Sequence, residues 1–231
     1  MLKLSERILM AAKMVRKGSI VADIGTDHAY LPAWLVLNDI CPSALACDLR
    51  KGPLDNAKKT VEAYGVADKI TLRLSDGFDE IEPFEAQDFV MCGMGGTLMA
   101  ELLSRAYWLK DSSKIVIAQP QSHAEDVRKF FAENGFKILC EDACLDSGKL
   151  YCAMTAQYCG EKINADDAYF YSGELVKSKK PEAKEYMIKI KDRLTTKFEA
   201  EKNHGSKDTA EDLLNIINAL EGKINAMQTD C

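Results

Sequence analysis

The chain of 231 residues is 47% hydrophobic and 29% charged, ordinary globular composition with material for one sizeable core and a small appendage. Thirty basic against 36 acidic side chains leave a formal charge of −6, so any phosphate-binding surface must be local. No apolar run approaches ~20 residues, which excludes a conventional membrane span. The opening MLKLSERILM lacks the form of a secretory leader, so the expected compartment is the cytoplasm.

Leu4, Ile8, Leu9, Ala12 and Val15 recur at helical steps and predict an opening helix over 4–17, ended by Gly18 and Ser19. IVADIG at 20–25 and SALACDL at 43–49 read as strands, and 54–65 as a helix closed by Gly65. ITLRLSDG at 70–77 alternates and breaks at Gly77. QDFVMCGMGG at 87–96 is a strand running into a glycine turn, with a helix over 97–109 behind it. KIVIAQP at 114–120 is a buried-strand pattern stopped by Pro120, and 122–135 is a helix ending in Asn134-Gly135. Two further strands flank a Ser147-Gly148 turn. This order predicts an α/β fold with a mostly parallel sheet and an antiparallel edge over residues 1–160.

The pattern changes over 161–231. Ala183, Met187, Ile190, Leu194 and Phe198 form one apolar stripe; Ala210, Leu213, Ile217, Leu220, Ile224 and Met227 form another. With Gly205 between them, they predict a helical hairpin of coiled-coil character that must pack along its length. Residues 177–197 hold eight basic and three acidic side chains, and the first 20 residues hold five basic and one acidic. A solvated helix face accounts for such runs, yet a lysine-rich hairpin also suits a large polyanion. The eight cysteines include no CxxC pair, so no metal site is expected, and they read as small buried hydrophobes in a reducing cell. Hairpin stripes can also pair two chains, but intramolecular packing, and hence a monomer, is the expectation.

Unusual residues gather at five strand ends: Gly25–Pro32, Asp48, Asp76-Gly77, Gly93–Gly96 and Gln119-Pro120. Ligands of such sheets bind at the strands' carboxyl ends. The first loop, DIGTDHAYLP, has one of the three glycines of a dinucleotide fingerprint, so a pyrophosphate cradle is poorly supported. A ligand with an amine, a carboxylate and a ribose fits better. Asp23 can take an ammonium or loop amides, Gly25 lets backbone approach a carboxylate, Asp48 can accept both ribose hydroxyls, and Asp76 can accept an adenine amine. The set fits S-adenosylmethionine, although each aspartate alone can be a turn or capping residue.

ADIGTDHAYLP at 22–32, GMGGTLM at 93–99 and IAQP at 117–120, ahead of a helical hairpin, closely resemble the bacterial tRNA adenine-N1 methyltransferases that modify adenine 22. The resemblance implies a class I methyltransferase domain of Rossmann-like form, S-adenosyl-L-methionine as donor and tRNA as substrate. It carries cofactor contacts onto Asp23, Gly25, Thr26, Asp27 and His28, then Asp48, Leu49, Asn56, Asp76, Gly77, Gly93 and Met94.

Adenine N1 has an in-plane lone pair and needs no covalent enzyme intermediate. A carboxylate near that edge stabilises the charge that develops and can accept the amino proton. Asp27 is the first candidate, with helix capping its alternative role; His28 can bind the base or the donor, or serve structure. Gln119 can present its amide to the base or satisfy backbone beside Pro120. Tyr30 is a stacking candidate, Trp34 one more suited to burial. Lys179, Lys180 and Lys184 are candidate phosphate contacts. Methylation of another base, RNA or small molecule is the rival reading, and a noncatalytic RNA-binding protein is the rival from another class.

Overall fold

The structure, a computed structural model, describes residues 2–228. Seven strands form one sheet in the order β3-β2-β1-β4-β5-β7-β6. β1 (Val21–Ile24), β2 (Ala44–Asp48), β3 (Ile70–Leu74), β4 (Asp88–Cys92) and β5 (Ile115–Gln119) run parallel. β6 (Phe136–Asp146) and β7 (Lys149–Tyr158) add the antiparallel edge. β1, β2 and β5 are buried at every position, as strands covered on both faces must be.

Alternate residues feed opposite layers. Val21, Val90, Ile115 and Ile117 join α1 (Glu6–Ala12), α2 (Tyr30–Leu37) and α3 (Lys51–Ala63) on one face. Ala22, Ile24, Phe89, Met91 and Val116 join α4 (Gly96–Arg105) and α5 (Ala124–Glu133) on the other. The stripes of α7 (Pro181–His204) and α8 (Lys207–Ala226) pack into this second cluster, with Met187 and Leu220 fully buried. The antiparallel edge and the packed C-terminal helix pair agree with the sequence reading.

Three boundaries differ from it. α1 stops at Ala12 because the next residues turn: the Arg16 backbone N–H and guanidinium both donate to Asp88, at 2.8 Å and 2.5 Å. α3 begins before Pro53, which sits in the first turn where no intrahelical N–H is needed. α4 ends at Arg105, and a 3₁₀ turn over Tyr107–Leu109 swings Trp108 edge-on to Phe78 and Phe89. The short helix α6 (Asp167–Ser172) and the 3₁₀ turn Gly173–Lys177 that precede the hairpin carried no periodic signal. Among the cysteines, Cys41, Cys47 and Cys152 are buried, but Cys140 and Cys159 are exposed, so burial does not describe them all; Cys231 lies outside the described residues.

That connection is fastened by a buried ion pair. Arg128 of α5 donates from Nε to Glu141 Oε1 of β6 at 2.8 Å, and both side chains are almost wholly excluded from solvent. Arg128 Nη1 also donates to the carbonyls of Phe170 and Tyr171, while Glu141 Oε2 accepts from the backbone of Glu174 and Leu175. Burial opposes the charge on Arg128, but Glu141 more than offsets it and holds the guanidinium pKa above its ordinary value. Gly173 passes so close that a Cβ there would lie 2.2 Å from Glu141 Oε2, and its φ of +53 is one that side chains disfavour. Arg128→Met leaves Glu141 buried without its cation and should cost about 3–5 kcal/mol in chemical denaturation. A loss below ~1 kcal/mol would show that the pair is dispensable.

Candidate active site

The carboxyl ends of β1 to β4 open into a cleft of about 520 Å³, within the range of small-molecule sites. Asp23, Gly25, Thr26, Asp27 and His28 line it from β1, Asp48 and Leu49 from β2, Asp76 and Gly77 from β3, and Gly93 and Met94 from β4. Tyr30 stands at the same cleft. Parallel strand direction therefore gathers residues that the sequence spreads over more than 70 positions.

Not every expected residue arrives there. Asn56, on α3, is absent from the lining; its backbone carbonyl accepts from Thr60 Oγ1. Gln119 is fully buried, with Oε1 accepting from Arg7 and Nε2 donating to the Pro120 carbonyl. Neither Gln119 nor Pro120 lines the cleft, and the Gln119 bond to the Pro120 carbonyl matches the alternative reading in which this amide satisfies backbone. Gly95 and Gly96 serve packing. A Cβ on Gly96 would lie 2.0 Å from the His123 carbonyl oxygen, so only glycine lets α4 start against the 122–123 backbone. Arg7, outside every motif singled out in the sequence, does line the cleft.

The acidic groups occupy different surroundings. Thr26 Oγ1 donates to Asp23 Oδ2 at 2.6 Å on the buried floor. Burial pushes the Asp23 carboxyl up to about 7; the Thr26 bond opposes the shift and nearby Asp48 adds to it. Asp48 Oδ1 accepts the Arg50 backbone N–H at 2.8 Å, which fixes the carboxylate at the end of β2. Asp76 is paired with Arg105 of α4 at 3.1 Å.

The loop after β1 is strained. Asp27 (φ +49) and Ala29 (φ +53) both adopt the left-handed conformation, which suits glycine better than either. Ala29 is the N-cap of α2, and no side chain caps that helix, so Asp27 does not act as its cap. Asp27 instead points to solvent at the mouth, 68% exposed, with Oδ2 3.5 Å from His28 Nε2. The His28 and Tyr30 rings stack at 5.2 Å and 9°. Trp34, one turn further on, packs against the apolar cluster beneath.

The basic run of α7 lies outside this cleft and is largely paired within the chain. Lys180 Nζ meets Asp142 Oδ2 at 2.5 Å, Lys184 donates to the Met227 carbonyl, Lys191 meets Glu221 and Arg193 meets Glu125. Lys179 precedes this helix and is itself engaged within the chain.

The donor set suits S-adenosylmethionine chemically: a buried carboxyl for an ammonium, a fixed carboxylate at β2 for a diol, and a glycine at β1 with φ +80. A Cβ on that glycine would come within 2.9 Å of Met94 Cε. Fold and cleft together define a Rossmann-like methyltransferase, and residues 4–154 match the family described as a methyltransferase domain. The chain is 33% identical over 175 residues to the tRNA (adenine(22)-N(1))-methyltransferase of Bacillus subtilis, covering 76% of this chain and 73% of that one. The crystal structure of the B. subtilis m1A22 tRNA methyltransferase TrmK superposes with a TM-score of 0.82 at 27% identity, over 98% of this chain and 99% of that one. Streptococcus pneumoniae Sp1610, solved in complex with S-adenosyl-L-methionine, gives 0.82 and 27% over 96% and 100%. The chain belongs to the tRNA (adenine(22)-N(1))-methyltransferase family.

Asp23 links pH to stability with a defined sign. Its raised pKa stabilises the fold while the carboxyl is protonated. That contribution is complete below 3.8 and is lost as pH rises through about 7, roughly 4 kcal/mol in all. In denaturant titrations Asp23→Asn should flatten the decline in stability between about pH 4 and 7. An unchanged decline would locate its origin elsewhere.

Proposed function

We propose that this chain transfers a methyl group from S-adenosyl-L-methionine to N1 of adenine 22 in tRNA. The observation that carries the reading is the convergence of Asp23, Asp48 and Asp76 from three strand ends on one cleft, in a chain of this family. Asp23 takes the ammonium, Asp48 the ribose hydroxyls and Asp76 the adenine amine of the donor, with Gly25, Gly77, Gly93 and Met94 shaping the walls. When bound, the donor supplies an electrophilic methyl group on a sulfonium.

Asp27 and His28 stand where the cleft opens to a large substrate. Asp27 stabilises the positive charge that spreads over N1 and the exocyclic nitrogen of adenine, and accepts the amino proton. The stacked His28–Tyr30 pair offers the turned-out base an aromatic surface. Turning that base outward costs a few kcal/mol of stacking, which these contacts must offset. Residues 161–231 form the tRNA-contacting part, with Lys179, Lys180 and Lys184 near its phosphates. No helix among the described residues is long and apolar enough to cross a membrane. The protein acts in the cytoplasm as a monomer, because the α7 and α8 stripes are engaged in its own core. Gel filtration should therefore give a particle near 25.6 kDa, and elution at twice that mass would refute the monomer.

The purified chain, labelled S-adenosyl-L-methionine and unmodified tRNA should yield 1-methyladenine at position 22 on nuclease digestion and mass spectrometry. A methylated product elsewhere would redirect the substrate, and donor binding without any product would remove tRNA methylation. Asp27→Asn should slow single-turnover methylation by ~10²-fold or more while leaving donor affinity intact. A rate near that of the unaltered chain would strip Asp27 of its role.

A further inference from the structure

Arg7 lies in the first turn of α1, yet its side chain reaches the cleft. Nη1 donates to Gln119 Oε1 at 3.0 Å, Nε lies 3.9 Å from Asp146 Oδ2, and the guanidinium covers the Tyr151 ring at 5.8 Å. Asp146 Oδ2 also accepts the Arg7 backbone N–H at 3.3 Å. The fork is thus fixed from three sides, and Nη2 has no hydrogen-bond partner among the described residues.

Its place relative to Asp23 matters. A Cβ on Gly93 would lie 3.4 Å from Arg7 Nη1, which puts the fork at the carboxyl end of β4. Asp23 stands on the neighbouring strand, in register with Val90. Cys92 lines the cleft together with Arg7 and Asp23, and its thiol is pushed up chiefly by burial, further by Asp23, and drawn back by Arg7. Asp48 and Asp76 lie on the other side, over β2 and β3. The amino-acid end of S-adenosylmethionine carries an ammonium and a carboxylate on one carbon. A site that holds it needs both charges close together.

The backbone at Gly25, expected to approach the carboxylate, has its own amide and the next one already engaged. Gly25 N–H and Thr26 N–H both donate to the Cys47 carbonyl, at 2.8 Å and 2.9 Å. Among the other cations of the lining, Arg50 is 77% exposed beside Asp48 at the nucleoside end, and His28 is turned to Asp27. We infer that Arg7 binds the α-carboxylate at the methionine end of the donor, opposite Asp23, which takes the ammonium. The inference rests on S-adenosylmethionine being the ligand of this cleft. It also gives Gln119 a task, since its buried amide orients the Arg7 fork.

Calorimetry on the full chain tests this with two probes. S-adenosylhomocysteine carries the amino-acid end; 5′-methylthioadenosine keeps the thioether nucleoside and lacks it. Arg7→Gln should weaken S-adenosylhomocysteine by ~10-fold or more and leave methylthioadenosine within ~2-fold. Arg7→Lys should fall between, because it keeps the charge but not the fork. Gln119→Leu, which leaves Arg7 in place, should weaken S-adenosylhomocysteine alone and by less. Equal losses for both probes would mean that Arg7 only supports the fold, and unchanged S-adenosylhomocysteine affinity would overturn the assignment outright. If Arg7→Gln instead raises only the KM for tRNA, the fork holds an RNA phosphate and the inference fails. Binding of neither probe by the unaltered chain would overturn the cofactor reading on which the inference stands.

Discussion

The C-terminal helices hold their place because Arg128 and Glu141 meet in the dry interior. An ion pair so buried adds little net stability when complete and costs much when broken, so its main effect is to select one arrangement. Here that arrangement joins α5, the edge strand β6 and the 3₁₀ turn that leads into the hairpin. Glu141 accepts from two backbone N–H groups of the turn, and Arg128 donates to two carbonyls of the helix before it. The connection is therefore read by its backbone polarity as well as by its shape. Arg128 Nη2 is buried without a partner among the described residues, which leaves the cluster one bond short of completion.

The cleft distributes charge by depth. Asp23 lies on the floor, where lost hydration raises its pKa, while Asp27 stands in water at the mouth. A group on the floor responds to a small cation that replaces water. One at the mouth suits a partner too large to enter. The left-handed Asp27 and Ala29 make the sharp path between these two depths possible, and the short turn from β1 into α2 leaves the chain no gentler route.

Much of this was legible because local rules wrote it. Buried parallel strands appear as apolar runs such as IVIAQ, and a strand that feeds a ligand site ends in glycine or aspartate. Asp23, Asp48 and Asp76 could be placed at strand ends on that basis alone. Arg7 could not, because its partners Gln119 and Asp146 are 112 and 139 positions away and no periodicity marks it. Gln119 misled for a related reason. The end of a strand beside a cleft admits two orientations of a side chain, and here the bond from Arg7 in the cleft wall holds the Gln119 amide buried. Likewise the basic run of α7 was visible, but the acidic partners that neutralise much of it come from β6, α5 and α8.

The β6–β7 ribbon continues for five cross-strand pairs past the last residue it pairs with β5, from Asp142↔Ala153 to Asp146↔Lys149. Its tip supplies Asp146, which receives the first turn of α1. The earliest helix of the chain thus takes its final seat on one of the latest strands. During synthesis on a ribosome, β1 to β5 and their helices emerge with the Asp23, Asp48 and Asp76 side of the cleft already encoded. The arginine corner must wait for the ribbon, which ends at Tyr158, so more than two-thirds of the chain must leave the tunnel before Arg7 can take its seat. The order of translation thus sets when this corner of the cleft can first assemble.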